Sequence, residues 1–154
     1  MSASNQNNPV KCVCLDTSFL VSLFLEEVHS PAAERWMIAE EPIVLLSPLN
    51  LLEFENALNL RVFFKGLTAG QAAQVRINFQ RKLKTGLYTV ISENVEVWEQ
   101  AKQLSLAHSP TPGARTLDIW HVAFAIVQDA KAFGSFDERQ RRLASEAGLA
   151  LNAV

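Results

Sequence analysis

Cysteine is scarce in this chain, and the two that occur, Cys12 and Cys14, share one short apolar run. Residues two apart on a strand point the same way but are badly placed to bridge each other, so no disulfide framework is expected. No second Cys pair or His pair completes a zinc set, which favours two buried core thiols over a metal site. Free buried thiols suit a reducing cytosol. Excess basic charge is also missing. Lys and Arg number 14 against 16 Asp and Glu, a formal net charge of −2, which argues against a generic nucleic-acid binder and leaves room only for a locally basic groove. No apolar run is long enough to cross a bilayer. The opening "MSASNQNNP" carries no secretory pattern and reads as a polar, disordered tail over residues 1–9. Residues 10–154 then form a single cytoplasmic domain with no repeats or low-complexity tracts.

What is present alternates between strand and helix signals. Lys11 to Asp16 reads as a buried strand, followed by a helix from Ser18 to Glu27. Ser30-Pro31 starts a helix that runs to about Glu41, ahead of Pro42. "IVLLS" (43–47) has strand length, and Pro48 opens a long helix to about Lys65. Thr68 caps a more polar helix to about Lys84. "LYTVIS" (87–92) is a β-branched strand, and Ser92 caps the helix that carries Glu96, Trp98 and Leu104. "HSPTPGAR" (108–115) is a loop, Thr116 begins an apolar helix, "AFGSF" (132–136) is a strand ending at Asp137, and a charged helix runs to Gly148. "LALNA" (149–153) supplies a last strand. Strands separated by helices imply a parallel sheet covered on both faces, with its functional crevice at the carboxyl ends of the strands.

Acids fall at that edge. Asp16 and Asp137 each follow a strand, and each alone is explained as a helix cap. Other acids interrupt helices that are otherwise apolar. In "TLDIWHVAFAIV", Asp118 and His121 share a face at i and i+3. Asp118 suits the helix dipole, but a buried ionised carboxylate needs a partner, either Arg115 or a metal. His121 on this apolar helix reads as a packing residue rather than a general base. In "PLNLLEFENALNLRVFF", Glu53 and Glu55 diverge by roughly 160° about the axis, so only one can face the crevice, and periodicity does not choose between them. Gathered acids repel one another unless a cation lies among them, and hard divalent cations take carboxylate oxygens.

"LDTSFLVSLF", "SPLNLLEFENAL", "TLDIWHVAFAI" and "GSFDERQRRLASEAGL", in this order and spacing, resemble the PIN-domain family, and in particular the VapC-like ribonuclease toxins of type II toxin–antitoxin systems. The resemblance spans nearly all of the chain after Pro9. It implies a three-layer α/β/α sandwich with a central parallel sheet. It also implies a cluster of Asp16, Glu53, Asp118 and Asp137 that binds Mg²⁺ or Mn²⁺ and cleaves single-stranded RNA. Here Glu53 is favoured over Glu55. Ser18 and Ser135 resemble polar residues supporting the acids, and each also reads as a turn or capping serine. Family toxins pair with a small antitoxin and form homodimers. Phe63, Phe64, Ile77 and Phe79, among Arg61, Lys65, Arg76, Arg81 and Lys82, offer either a partner patch or basic groups for an RNA backbone, beside the plain reading of a core stripe with a solvated charged face. Arg139 is a candidate phosphate contact.

Two alternatives remain beside the metal-dependent endoribonuclease. One is a PIN-like fold without catalysis that binds RNA or an antitoxin; an intact acid set argues against it. The other is an aspartyl-phosphate enzyme with Asp16 as nucleophile, disfavoured because the position two residues on is Ser18 rather than a second Asp.

Overall fold

The computed structural model of the protein describes residues 11–92, 94–108 and 113–153. The expected tail at 1–9 and residues 109–112 of the loop at 108–115 lie outside the described residues. Within them the order is β1 (Cys12–Leu15), α1 (Thr17–Ser22), α2 (Ser30–Glu40), β2 (Ile43–Leu46), α3 (Pro48–Phe63), α4 (Ala69–Lys84), β3 (Tyr88–Val90), α5 (Val95–His108), α6 (Thr116–Val127), β4 (Ala132–Gly134), α7 (Glu138–Glu146) and β5 (Ala150–Leu151).

All strand pairs are parallel, in the order β3-β2-β1-β4-β5. Alternation along β1 divides the core. Val13 and Leu15 face one layer with Phe19, Trp36, Phe54, Leu58 and Phe79. Cys14 faces the other, with Trp120, Phe124, Phe133 and Leu143. Helices α1 to α4 therefore cover one face of the sheet and α5 to α7 the other, a three-layer α/β/α sandwich. After β3 the chain crosses back past β1, so the switch point of the sheet lies between β1 and β4.

Three expectations are corrected, one being the strand expected at 132–136, which ends at Gly134 and leaves Ser135 and Phe136 between it and Asp137. The first helix stops at Ser22 rather than Glu27. Beyond it the chain turns so that Phe24 packs edge-on against Phe54, Phe79 and Tyr88, and Ser30 closes the turn by donating to the Leu25 carbonyl and accepting from Glu27 N–H. Continuing the helix would withdraw Phe24 from that cluster. At α5, Asn94 rather than Ser92 provides the cap, its side chain accepting from Glu96 N–H at 3.0 Å.

Cys14 is buried and Cys12 half-buried, and both are free thiols. Among the described residues no helix is long and apolar enough to cross a membrane.

Candidate active site

The backbone places Asp16 first. Its N–H donates to the Gly134 carbonyl at 2.9 Å, extending the β1–β4 pairing by one step, so the side chain emerges at the switch point. Asp16 caps α1, accepting from Phe19 N–H at 2.6 Å. Ser135, just past β4, donates its hydroxyl to Asp16 Oδ2 at 2.6 Å, and Ser18 reaches the same carboxylate at 3.1 Å. Asp16 is only 5% exposed, and burial pushes its carboxyl above the usual range. The Ser135 hydroxyl, Phe19 N–H, His121 and Ser18 pull in the opposite direction without cancelling it.

Helix α3 contributes Glu53. Ser47 and Asn50 close a capping box at its start, and Asn50 Nδ2 also donates to the Leu15 carbonyl at 3.2 Å, tying the helix to the end of β1. Glu53 then lies beside Thr17, whose hydroxyl donates to Oε2, and beside His121 Nε2, 2.6 Å from the same oxygen. Burial raises the Glu53 pKa, but His121 and Thr17 outweigh it and hold the carboxyl below its usual value. Glu55 points elsewhere. It is exposed and paired with Arg76, with Nε at 2.8 Å. The choice that periodicity left open is settled by packing.

Asp118, in the first turn of α6, accepts from Arg115 N–H at 3.3 Å. Its carboxyl is pushed up by burial and further by the charge of Asp137, while Arg115 and His121 pull it down. Asp137 caps α7 by accepting from Gln140 N–H at 2.9 Å. Asp16, Glu53, Asp118 and Asp137 thus come from four separate segments and line one cleft of about 230 Å³, together with Thr17, Ser18, Arg115, His121 and Gln140. Among the described residues none of the four acids forms an ion pair with Lys or Arg. Arg139 is exposed and is not among the residues lining the cleft.

The donor set is chemically right for a hard divalent ion: carboxylate oxygens, two of which disfavour each other's charge with no cation between them. Among the described residues, however, no three His, Cys, Asp or Glu side chains are gathered closely enough to enclose an ion. The acids line the walls of an open cleft rather than forming a ready-made shell.

Several supporting residues escaped sequence reading. Gln140 is 1% exposed, its Oε1 lies 3.1 Å from the Ser135 hydroxyl oxygen, and its amide donates to the Asp118 carbonyl at 3.3 Å. Asn152, after β5, accepts from Ser135 N–H at 2.8 Å, and Arg141 donates to the Ser135 carbonyl at 2.8 Å. The spacing Asp137-x-x-Gln140 is a helix-start signal that was available in the sequence. Nothing local marks Asn152, because its partner is 17 positions away.

A family model described as the PIN domain matches residues 13–146. None of the curated proteins searched matches the chain. Among solved structures, the fold is similar to VapC20 of Mycobacterium tuberculosis, described as a toxin that cleaves the sarcin–ricin loop, at 20% identity and TM-score 0.65, covering 90% of this chain and 96% of that one. It is similar to VapBC2 of Rickettsia felis bound to a fragment of promoter DNA, at 14% identity and TM-score 0.64, covering 91% and 96%. It is also similar to a toxin–antitoxin complex from Klebsiella pneumoniae, at 14% identity and TM-score 0.58, covering 81% and 86%.

Proposed function

The chain belongs to the PIN-domain family, and from that premise we propose that it is a metal-dependent endoribonuclease acting on single-stranded RNA, the toxin of a toxin–antitoxin pair. The observation that carries this reading is the convergence of Asp16, Glu53, Asp118 and Asp137 on one cleft at the switch point, with no Lys or Arg paired to any of them among the described residues. Asp16, Asp118 and Asp137 would hold Mg²⁺ or Mn²⁺, with Glu53 as a further ligand. A divalent ion supplies Lewis acidity toward the scissile phosphate and toward an attacking water.

The chain's own residues supply placement. Ser135 and Phe19 N–H fix the Asp16 carboxylate, and Ser18 braces it. Among the described residues Arg115 is the one Lys or Arg side chain lining the cleft, where it orients the phosphate of the strand. Arg139, on the exposed side of α7 two residues past Asp137, contacts the strand beyond the cleft. The open cleft admits a flexible single strand.

The partner reading rests on apolar surface. Phe63 and Phe64, at the end of α3, are 75% and 74% exposed and stack edge-on against each other. A groove of about 610 Å³ between α2 and β3 is lined by Phe24, Met37, Ile38, Leu87 and Tyr88. Surfaces of this kind suit a cognate antitoxin and a second copy of the chain.

The test is cleavage of an end-labelled single-stranded RNA with Mg²⁺ or Mn²⁺, with EDTA, and with Asp16→Asn and Asp118→Asn, beside a single-stranded DNA of the same sequence. Loss of an acid is expected to remove about 3 kcal/mol of transition-state stabilisation, on the order of 100-fold in rate. Cleavage that survives EDTA or both substitutions refutes the reading. RNA binding without any cleavage transfers the assignment to a non-catalytic binding module.

A further inference from the structure

Glu53 is held by one oxygen only. Thr17 Oγ1 donates to Oε2, and His121 Nε2 lies 2.6 Å from that same atom. Among the described residues no protein donor reaches Oε1. The two donors belong to α1 and α6, on different layers of the sandwich, so they grip Glu53 from two independently anchored helices. His121 is 4% exposed and its ring packs edge-on to Trp120 at 6.0 Å, which leaves it little freedom to turn. It lies one helical turn after Asp118, on the same face of α6, and lines the same cleft.

We propose that His121 is a positioning residue for the ion site: it clamps Glu53 Oε2, with Thr17, so that Glu53 offers the ion Oε1 alone. This rests on the reading that the cleft takes a divalent ion. Two consequences follow from chemistry. An unclamped Glu must give up its side-chain rotamer freedom on ligating, whereas a clamped one has already done so. A carboxylate restricted to one oxygen suits a small ion that keeps octahedral geometry and its waters, while Ca²⁺ readily takes both oxygens of a carboxylate at longer distance. The clamp therefore favours Mg²⁺ and Mn²⁺ over Ca²⁺, as well as strengthening binding.

Titration calorimetry of the full chain with Mn²⁺ and separately with Ca²⁺ tests this in wild type, His121→Phe and His121→Gln. The Gln amide nitrogen reaches the position of Nε2; the Phe ring keeps the volume and loses the donor. H121F is expected to weaken Mn²⁺ binding about 10-fold and narrow the preference for Mn²⁺ over Ca²⁺, with H121Q restoring affinity to within about 3-fold of wild type. Unchanged Mn²⁺ affinity and selectivity in H121F, or H121Q no better than H121F, overturns the clamp. Should H121F fail to fold by circular dichroism, His121→Asn, whose shorter amide falls short of Glu53, replaces it in the same comparison. Asp16→Asn separates the two levels. Wild-type binding that D16N abolishes upholds the ion site while H121F judges the clamp, and a wild type that takes up no Mn²⁺ removes both.

Discussion

Ser135 donates its hydroxyl to Asp16 at 2.6 Å across 119 positions of sequence, joining the ends of β4 and β1. Its oxygen also accepts from Asp137 N–H at 3.1 Å. One buried hydroxyl thus links the Asp16 carboxylate to the backbone of Asp137. Ser135→Ala strips both contacts and is expected to cost about 1–3 kcal/mol in urea unfolding, with weaker Mn²⁺ uptake. A variant with wild-type stability and wild-type uptake would show that the hydroxyl does not organise the cleft.

Asp16 is a stability liability at neutral pH. Burial raises its carboxyl, so the folded chain binds the proton more tightly than the unfolded chain, whose value is near 3.8. Stability from this group is full below that value and is lost as pH rises through the folded value. With EDTA present, Asp16→Asn is expected to be more stable than wild type at pH 7.5, the gap shrinking as pH falls toward 4. A D16N variant that melts below wild type at pH 7.5 contradicts this.

Tyr88, the sole tyrosine, is 6% exposed, and burial pushes its phenol up from 10.0 to about 12. The folded state therefore keeps a proton that the unfolded chain releases. Relative to Tyr88→Phe, wild type is expected to lose about 2 kcal/mol of stability as pH climbs from 10 to 12, and little below 10. Phenolate absorbance in the folded chain should share that high midpoint. A midpoint near 10 would mean the ring is wetter than its packing indicates.

Gly134 closes β4 where the sheet meets the cleft. A Cβ there would lie 2.6 Å from Leu15 Cδ2 and 3.4 Å from the Phe19 ring, both fully buried. Gly134→Ala is expected to lower stability by about 1–3 kcal/mol in urea. Adding Leu15→Val should recover part of the loss, because the two changes share one contact. An unshifted urea midpoint in G134A would rule out the crowding.

Much of this architecture was legible in the chain. Pro48 after Ser47, Thr68 with Gln71, and Gly148 after an amphipathic run are local signals, decided within a few residues, and the helices begin or end there. Where local signals misled, a distant packing partner prevailed. Phe24 left α1 for a cluster with Phe54, Phe79 and Tyr88, and the polar Glu26 and Glu27 gave no hint of it. His121 reads as packing from its apolar neighbours, and it is indeed buried, but its partner Glu53 lies 68 positions earlier.

By itself, the sequence determined the alternation of strands and helices, the parallel sheet and the placement of Asp16 just past β1 and of Asp137 at the start of α7, because hydrophobic period and capping chemistry act over short distances. Helical periodicity left Glu53 and Glu55 open and only the resemblance favoured Glu53; tertiary structure alone decided that Gln140 and Asn152 brace the cleft and that His121 and Thr17 grip a single oxygen. Those outcomes depend on how whole helices seat against the two faces of the sheet, and a contact between residues tens of positions apart leaves no periodic trace in either segment.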